Sequence, residues 1–349
     1  MMNWKSLRLF PQQSVYDALT CIDTAGTQFA LVTDSRDIIL GVITDGNIRR
    51  SLLAGISLES PVTEVMSTSP YTTDENTSAV RALHLMEEKG YSHLPVIDEK
   101  KTVCWVWSRK ELQGAAPLAN TVVLMAGGLG TRLGELTKDR PKPMLHVGDR
   151  PILKTVLESF IHFGFQHFFL AVNYMAEVIT DHFGDGSRLG CHIQYLRESK
   201  RMGTAGALSL LPPQGAPFLV ANADILTQLN MRCLLYEHLA KKSPATMVVK
   251  RHTIQVPYGV VDSDATGIMF DVREKPEFNF HVSAGIYALS PETLSLIPPD
   301  SFFDMPQLFQ ILIKRGQLPR VLETQDYWLD IGRLSDYELA QKDFCNHAK

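Results

Sequence analysis

The sequence lacks the features that would place it outside the ordinary globular classes. Its five cysteines are odd in number and far apart, so no spacing indicates a metal site or a disulfide framework. No 18 uncharged apolar residues occur together, and the amino-terminal residues contain no apolar run long enough for a signal peptide. These absences predict a soluble, cytoplasmic protein with reduced thiols.

The sequence also lacks an excess of charge of either sign. Its 34 Lys and Arg against 38 Asp and Glu give a formal net charge of −4. Residues 1–118 hold 11 of those cations and 14 of those anions, and the remainder holds 23 and 24. Because no basic face or tail is apparent, we expect no nucleic-acid partner, and an anionic ligand has to be held by local geometry.

The first third of the chain contains an internal repeat with an offset of 64 residues. Residues 29–34 align with residues 93–98, and the apolar run 38–44 aligns with 102–108 without a gap. Each copy combines helical spacing with two β-rich runs, which predicts the order helix, strand, strand, helix.

This organisation divides a chain of 349 residues, which is longer than one hydrophobic core usually supports. The stretch 114–117 has the composition of a linker. We predict a first repeat over residues 1–62, a second over 63–118, and a separate domain over 119–349.

The repeat, with the sequence Gly-Val-Ile-Thr-Asp-Gly-Asn at 41–47, resembles a tandem pair of cystathionine-β-synthase-type (CBS) domains over about residues 8–116. In that family, the Thr-Asp after the second strand contacts the ribose and phosphate of an adenine nucleotide. The resemblance therefore assigns a regulatory ligand to Thr44 and Asp45, since a hydroxyl and a carboxylate at a helix N-terminus suit such contacts.

The second copy departs from that pattern, because Ser108 and Arg109 occupy the equivalent positions. Only one intact site is therefore expected. A different interpretation stays open: Asp45 is a helix N-cap, and the pair is a packing or dimerisation module without a ligand.

The sequence changes character near Thr121. An apolar run there predicts a strand, and the glycine-rich turn Ala-Gly-Gly-Leu-Gly-Thr-Arg follows it. Glycines let backbone N–H groups converge on an anion. A dinucleotide fingerprint fails because Leu133 stands where its third glycine belongs, and no Gly-Lys-Ser/Thr follows to make a Walker loop. The candidate nucleotide-binding residues of this turn are Ala126, Gly127, Gly128, Gly130 and Thr131.

Two cations follow the turn, Arg132 and, ten residues later, Lys142 within a Pro-Lys-Pro segment. Cations beside a phosphate-binding loop suit a triphosphate, because the leaving pyrophosphate gains charge as its bond to the α-phosphorus breaks. The plainer interpretation is a glycine turn flanked by two solvated cations.

The combined pattern makes residues 121–343 resemble the nucleotidyltransferase family that makes nucleoside diphosphate sugars. The resemblance implies an α/β fold with a doubly wound, mostly parallel sheet after the CBS pair. It assigns Arg132 and Lys142 to the nucleotide phosphates as catalytic residues. One departure is Glu135, which stands where the family usually has proline.

A reaction that joins two anionic substrates is expected to need a divalent metal ion such as Mg²⁺. Two aspartates are the candidate ligands of this ion. Asp224 closes the apolar run 217–224, and Asp330 lies in Trp-Leu-Asp-Ile-Gly at 328–332, which resembles a family segment. The family uses such a pair to hold the metal. Taken singly, each aspartate is equally compatible with a turn or an N-cap.

The resemblance also assigns the remaining substrate contacts. Gly203, Thr204 and Asn222 would contact the nucleotide, and Lys275 would act in catalysis by meeting the sugar phosphate. The predicted sugar-binding residues are Tyr258, Gly259, Glu274 and Ser283, the last of which stands where asparagine is usual.

The predicted reaction joins an NTP and a sugar 1-phosphate to give an NDP-sugar and pyrophosphate. The domain order resembles guanylyltransferases of bacterial legionaminic acid pathways, which favours GTP and glucosamine 1-phosphate. Mannose or heptose 1-phosphate with GTP, and glucose 1-phosphate with UTP or dTTP, stay open. The competing class is a sensor that binds nucleotide or sugar phosphate without turnover. A homodimer is expected because CBS pairs commonly associate.

Overall fold

The computed structural model describes residues 4–114 and 116–347, with side chains as far as 344. The predicted linker therefore includes one position, 115, that lies outside the described residues, and so does the side chain of Cys345. The chain divides into two compact units, Met1–Ala116 and Pro117–Lys349. The finer boundary between the repeats at 62/63 stays a prediction.

The first unit contains two copies of a strand, helix, strand, strand, helix order. The first copy comprises β1 (Arg8–Leu9), α1 (Val15–Thr24), β2 (Phe29–Thr33), β3 (Ile39–Thr44) and α2 (Asp45–Leu53). The second comprises β4 (Thr73–Asp74), α3 (Ala79–Lys89), β5 (His93–Ile97), β6 (Val103–Ser108) and α4 (Arg109–Gln113).

The two copies form separate three-stranded sheets, β1-β2-β3 and β4-β5-β6. In each sheet the short first strand is parallel to the second, and the second is antiparallel to the third. The longer strands lie 64 residues apart, as the sequence repeat predicts. Phe29 and His93, which are equivalent positions, stack with ring centroids 4.8 Å apart, so the repeats meet at matching residues.

The second unit alternates strands and helices from β7 onward. Its first half comprises β7 (Leu118–Met125), β8 (His146–Val147), β9 (Arg150–Pro151), α5 (Ile152–His162), β10 (Phe165–Val172), α6 (Ala176–Phe183), β11 (His192–Arg197), α7 (Gly203–Gly206), β12 (Phe218–Asn222), β13 (Ile225–Thr227) and α8 (Met231–Lys241). Its second half comprises β14 (Ala245–Gln255), β15 (Val260–Ser263), β16 (Met269–Arg273), β17 (Glu277–Leu289), α9 (Met305–Lys314), β18 (Arg320–Thr324), β19 (Trp328–Asp330) and α10 (Leu334–His347).

A seven-stranded sheet in the order β11-β10-β7-β12-β17-β14-β18 forms the centre of this unit. Only the β17 pairings with β12 and β14 are antiparallel among its ladders in the described chain. One apolar cluster on the sheet includes Phe160 of α5 and Ile179 of α6, and another includes Leu308 of α9. Helices therefore cover both faces, which confirms the predicted doubly wound, mostly parallel α/β fold.

Two further observations concern the cysteines and the search for a membrane-spanning helix. Among the described residues, Cys21, Cys104, Cys191 and Cys233 form no disulfide. Among the described residues, no helix is both long and apolar enough to cross a lipid bilayer.

Candidate active site

The glycine-rich turn begins where β7 leaves the central sheet. Ala126 is buried and donates its N–H to the Ala171 carbonyl at 2.8 Å, which fixes the first residue of the turn to β10. Gly130 has a φ of 65°, and a Cβ there would lie 2.8 Å from Thr137 Cγ2 and 3.0 Å from Lys142 Cβ. Glycine is therefore required at 130 by both backbone conformation and space.

Gly127 lies against an acidic side chain that the sequence analysis missed. A Cβ at position 127 would come within 2.6 Å of Glu198 Oε1. Glu198 follows β11, and its Oε2 accepts the Met202 N–H at 3.0 Å. Burial raises the pKa of this carboxyl. The available signal was an acid five residues before Gly203.

Lys142 and the two predicted metal ligands form one cluster. The Lys142 ammonium is ion-paired with Asp224 Oδ2 and lies 3.9 Å from Asp330 Oδ1. The Lys142 side chain is 9% exposed, whereas Asp330 is 43% exposed. The cluster therefore has one buried cation shared by two carboxylates, and Asp330 faces the open side.

A short antiparallel ladder brings these two aspartates, which are distant in sequence, close together in space. Strands β13 and β19 are antiparallel, with Ile225 opposite Asp330. The Ile331 N–H also donates to the Asp224 carbonyl at 3.2 Å. Since β12 ends at Asn222, Asp224 lies two residues beyond the strand it was predicted to close, at the carboxyl edge where open α/β sheets bind ligands.

The electrostatics of the cluster suit a divalent cation. Burial and the nearby Asp224 charge raise the pKa of Asp330, and the charges of Lys142 and Arg132 act in the opposite direction. Asp224 Oδ1 is a buried oxygen without a hydrogen-bond partner in the part of the chain that the structure describes. An orphaned carboxylate oxygen beside a second carboxylate fits Mg²⁺, whose preferred ligands are oxygen atoms.

Arg132 lies on the same side as Asp330. The nearest atoms to a Cβ built at Gly332 are Arg132 Nη1 at 3.6 Å, Asp336 Oδ2 at 3.6 Å and Asp330 Oδ2 at 3.7 Å. Arg132 is exposed in the short helical turn after Gly130. The structure thus places both predicted cations, the glycine turn and both aspartates around one location.

A cavity of about 430 Å³ opens beside Asp330. Its wall includes three polar residues predicted from the sequence, Thr204, Asn222 and Ser283. It also includes Asp304, which was not predicted. Ser283 Oγ is hydrogen-bonded to the Tyr287 hydroxyl at 2.9 Å, which orients it. The predicted nucleotide contact Asn222 and the predicted sugar contact Ser283 therefore share one cavity.

The segment at Gly203 has a structural role in addition to lining this region. Gly203 has a φ of 79°, and a Cβ there would lie 2.7 Å from the Phe303 carbonyl oxygen. Thr204 donates its N–H to Asp304 Oδ1 at 2.9 Å, and its hydroxyl accepts the Met305 N–H. These bonds anchor the segment to the start of α9.

The remaining predicted substrate residues lie on an exposed arm built from β15, β16 and the adjoining ends of β14 and β17. Tyr258 is 73% exposed, and a Cβ at Gly259 would lie 3.2 Å from Glu274 Oε2. Lys275 Nζ lies 3.9 Å from Glu274 Oε1. Within the described residues, no ion pair joins Lys275 to Asp224 or Asp330, so this lysine is not part of the cluster.

The first unit has its own cavity, of about 370 Å³, lined by Thr44, Asp45 and the aromatic residues Phe29, Tyr71, Tyr91 and His93. Thr44 is the N-cap of α2 and Asp45 its first residue, so the interpretation of Asp45 as the N-cap was wrong. The Thr44 hydroxyl already bonds Asn47 Oδ1 at 2.6 Å. The exposed Asp45 carboxylate is the freer of the two predicted contacts.

The equivalent position in the second repeat is built differently. Ser108 caps α4 by accepting the Glu111 N–H. Trp105 and Trp107 are buried, with ring centroids 5.8 Å apart. The second repeat therefore has a serine cap in place of Thr44 and two buried indoles on the strand that precedes it.

Comparison with known proteins identifies the class that this fold and site define. The nucleotidyl transferase family model matches residues 121–347, and the chain belongs to that family. The CBS domain model matches residues 62–106.

The individual relatives differ in substrate. Mannose-1-phosphate guanyltransferase beta-B of Xenopus laevis is 31% identical over 223 residues, which cover 62% of each chain. UTP--glucose-1-phosphate uridylyltransferase of Synechocystis is also 31% identical, over 62% of this chain and 61% of the relative. The chain thus matches somewhat over three fifths of the length of these relatives.

HddC from Yersinia pseudotuberculosis is a solved structural neighbour. It is 27% identical, with a TM-score of 0.51, and the match covers 64% of this chain and 99% of HddC. A second HddC structure, in complex with GMP-PN, has a TM-score of 0.50 at 25% identity over the same shares.

Proposed function

We propose that the chain catalyses nucleotidyl transfer from an NTP to a sugar 1-phosphate. The observation that carries the proposal is the cluster of Lys142, Asp224 and Asp330 beside the glycine-rich turn. It combines a phosphate cradle, a cation and a pair of metal-binding carboxylates at one sheet edge. The roles given to these residues form part of the proposal.

The chemistry needs no nucleophilic side chain. A phosphate oxygen of the sugar 1-phosphate forms a bond to the α-phosphorus, the α–β bridging bond breaks, and pyrophosphate leaves with that electron pair. Lys142 and Arg132 would neutralise the charge that develops on the triphosphate. Asp224 and Asp330 would hold Mg²⁺, which supplies charge neutralisation between the two anionic substrates.

We infer that the base is guanine, and Glu198 supports this choice. The Watson–Crick edge of guanine presents an N1–H and an N2 amino group, two adjacent donors that a carboxylate can accept together. Uracil and thymine present one N–H between two carbonyls, which suits a carboxylate less well. Glu198 Oε1 faces Gly127 of the turn, close to where a nucleotide would lie.

For the sugar, the cavity beside Asp330 has both a cation, Arg201, and carboxylates in its wall, and one of those carboxylates supports an amino sugar. Asp304 contributes a carboxylate to its wall, and a protonated amine would find a partner there. Glucosamine 1-phosphate is therefore the first candidate. Mannose and heptose 1-phosphates with GTP rank next, and glucose 1-phosphate with UTP or dTTP after them. A role in surface-glycan precursor synthesis, a cytoplasmic location and a homodimer belong to this proposal.

The test is pyrophosphate release with Mg²⁺ from GTP, UTP, dTTP, CTP or ATP paired with glucosamine, mannose, glucose, N-acetylglucosamine or heptose 1-phosphate. We expect the highest rate with GTP and glucosamine 1-phosphate. Release in another pair would keep the transferase and replace its substrates. Binding of nucleotide by folded protein without release in any pair would favour the sensor class.

We also propose that the cavity of the first unit binds the adenosine part of a nucleotide. Tyr71 and Tyr91 at this cavity have ring centroids 5.6 Å apart, which suits stacking on a base. Burial lowers the pKa of His93 to about 4, so this ring offers no charge to a phosphate near neutral pH. Arg50 lies near one wall of the cavity, since its Nη1 is 3.4 Å from a Cβ built at Gly46.

Thermal melting with adenosine, AMP, ADP and ATP tests this site. We expect adenosine-containing ligands to raise the melting temperature, and Asp45→Asn to reduce the shift because a ribose hydroxyl loses a charged acceptor. Asp23→Asn, another exposed change in this unit, is the matched control. No shift with any of the four ligands would make the module architectural.

A further inference from the structure

The Lys142 ammonium occupies the position between the two carboxylates that would hold a metal ion. It is ion-paired with Asp224 Oδ2 and lies 3.9 Å from Asp330 Oδ1. The side chain is 9% exposed, so water screens these interactions little. A divalent cation that approached both carboxylates would therefore meet a fixed positive charge.

The protein alone also offers few ligands to such an ion. Within the described residues, no group of three or more His, Cys, Asp and Glu side chains is placed to hold a metal. Mg²⁺ takes about six oxygen ligands and is commonly bound by one or two carboxylates together with substrate phosphates. Two carboxylates that already share an ammonium would bind it weakly until phosphate oxygens arrive.

The position of Lys142 lets a bound phosphate compete for its charge. The residue begins a short helical turn, Lys142–Met144, that packs against the glycine-rich turn. A Cβ built at Gly130 would lie 3.0 Å from Lys142 Cβ. An anion held by the turn would thus lie within reach of the flexible lysine side chain, which is a point charge on a four-carbon stem.

We propose that Lys142 is a gate for the metal. In the nucleotide-free protein it balances one of the two negative charges of Asp224 and Asp330 and keeps a divalent cation out. When a triphosphate enters the turn, the ammonium moves to the phosphate, the carboxylates are released, and the cation binds between them and the phosphate. The order of assembly is therefore nucleotide before, or together with, the metal. The inference rests on the proposed nucleotide site, but not on turnover.

The first experiment measures Mn²⁺ binding by electron paramagnetic resonance without any nucleotide. The wild-type protein should bind Mn²⁺ weakly, and Lys142→Met should bind it about tenfold or more tightly because the competing charge is gone, which corresponds to about 1.4 kcal/mol. Asp224→Asn added to Lys142→Met should remove the gain. Lys138→Met, a neighbouring lysine that is 69% exposed and paired with Glu135, should behave as wild type.

The second experiment uses the wild-type protein, so it survives if Lys142→Met fails to fold. Calorimetric titration with GTP in EDTA should show binding, because the ammonium meets the phosphates without a metal. Tight Mn²⁺ binding by nucleotide-free wild type, unchanged Mn²⁺ affinity in folded Lys142→Met, or no GTP binding in EDTA would each overturn the gate. A gain in Mn²⁺ affinity in Lys142→Met, together with no pyrophosphate release by the wild-type protein with any substrate pair, would refute the transferase proposal and leave the gate standing.

Discussion

Replacing Asp224 by asparagine is expected to reduce pyrophosphate release by about a thousandfold or more. The change keeps the shape of the side chain but removes one of two metal-binding charges, and metal stabilisation of the transition state is worth several kcal/mol. A loss of about 4 kcal/mol corresponds to about three orders of magnitude in rate. Steady-state release with the best substrate pair, measured across a range of Mg²⁺ concentrations, is the assay.

The matched control is Asp181→Asn, which removes a charge from an exposed position on α6 and should leave the rate unchanged. Melting curves for both variants separate lost chemistry from lost structure. A folded Asp224→Asn protein that keeps more than a tenth of the wild-type rate would show that the metal site lies elsewhere.

Replacing Glu198 by glutamine is expected to move the base preference from guanine toward uracil and thymine. The amide offers one acceptor and one donor in place of two acceptors, so it loses a bond to guanine and gains a match to the N3–H and O4 of a pyrimidine. Losing a hydrogen bond to a charged group costs about 1.5–3 kcal/mol. We expect kcat/KM for GTP to fall about tenfold to a hundredfold, while that for UTP and dTTP rises.

Glu177→Gln provides the control for this prediction, since Glu177 is an exposed acid whose carboxylate pairs with Arg197 at 2.9 Å. Its ratio of GTP to UTP activity should match that of wild type. An unchanged ratio in Glu198→Gln would remove Glu198 from base recognition and leave the choice of guanine without structural support.

The fold was predictable because its signals are local. An apolar strand that runs into glycines, and an offset repeat of strands and helices, depend on neighbouring residues, and the structure has β7 and the two three-stranded sheets where those patterns lie. Asp224 and Asp330 were identified because each lies in a recognisable segment. Their proximity depends on the β13–β19 pairing, which no local pattern specifies.

The parts that were missed depend on long-range packing. Glu198 carries no motif, and its importance arises only when β11 lies two strands from β7 in the sheet and the carboxylate reaches Gly127. A matching segment assigned Lys275 a catalytic contact; the structure has its side chain 60% exposed on the arm, and its role stays a prediction. Sequence context identifies a segment, whereas tertiary structure decides what its side chains can reach.

The ladder between β13 and β19 has a consequence for how such proteins diversify. Because Ile225 pairs with Asp330 and the Asp224 carbonyl accepts the Ile331 N–H, main-chain geometry sets the spacing of the two carboxylates. The roughly one hundred residues between Asp224 and Asp330 begin and end at this ladder. Under the proposed function, loops between the two aspartates can change length or composition to accommodate another sugar while the spacing of Asp224 and Asp330 stays the same.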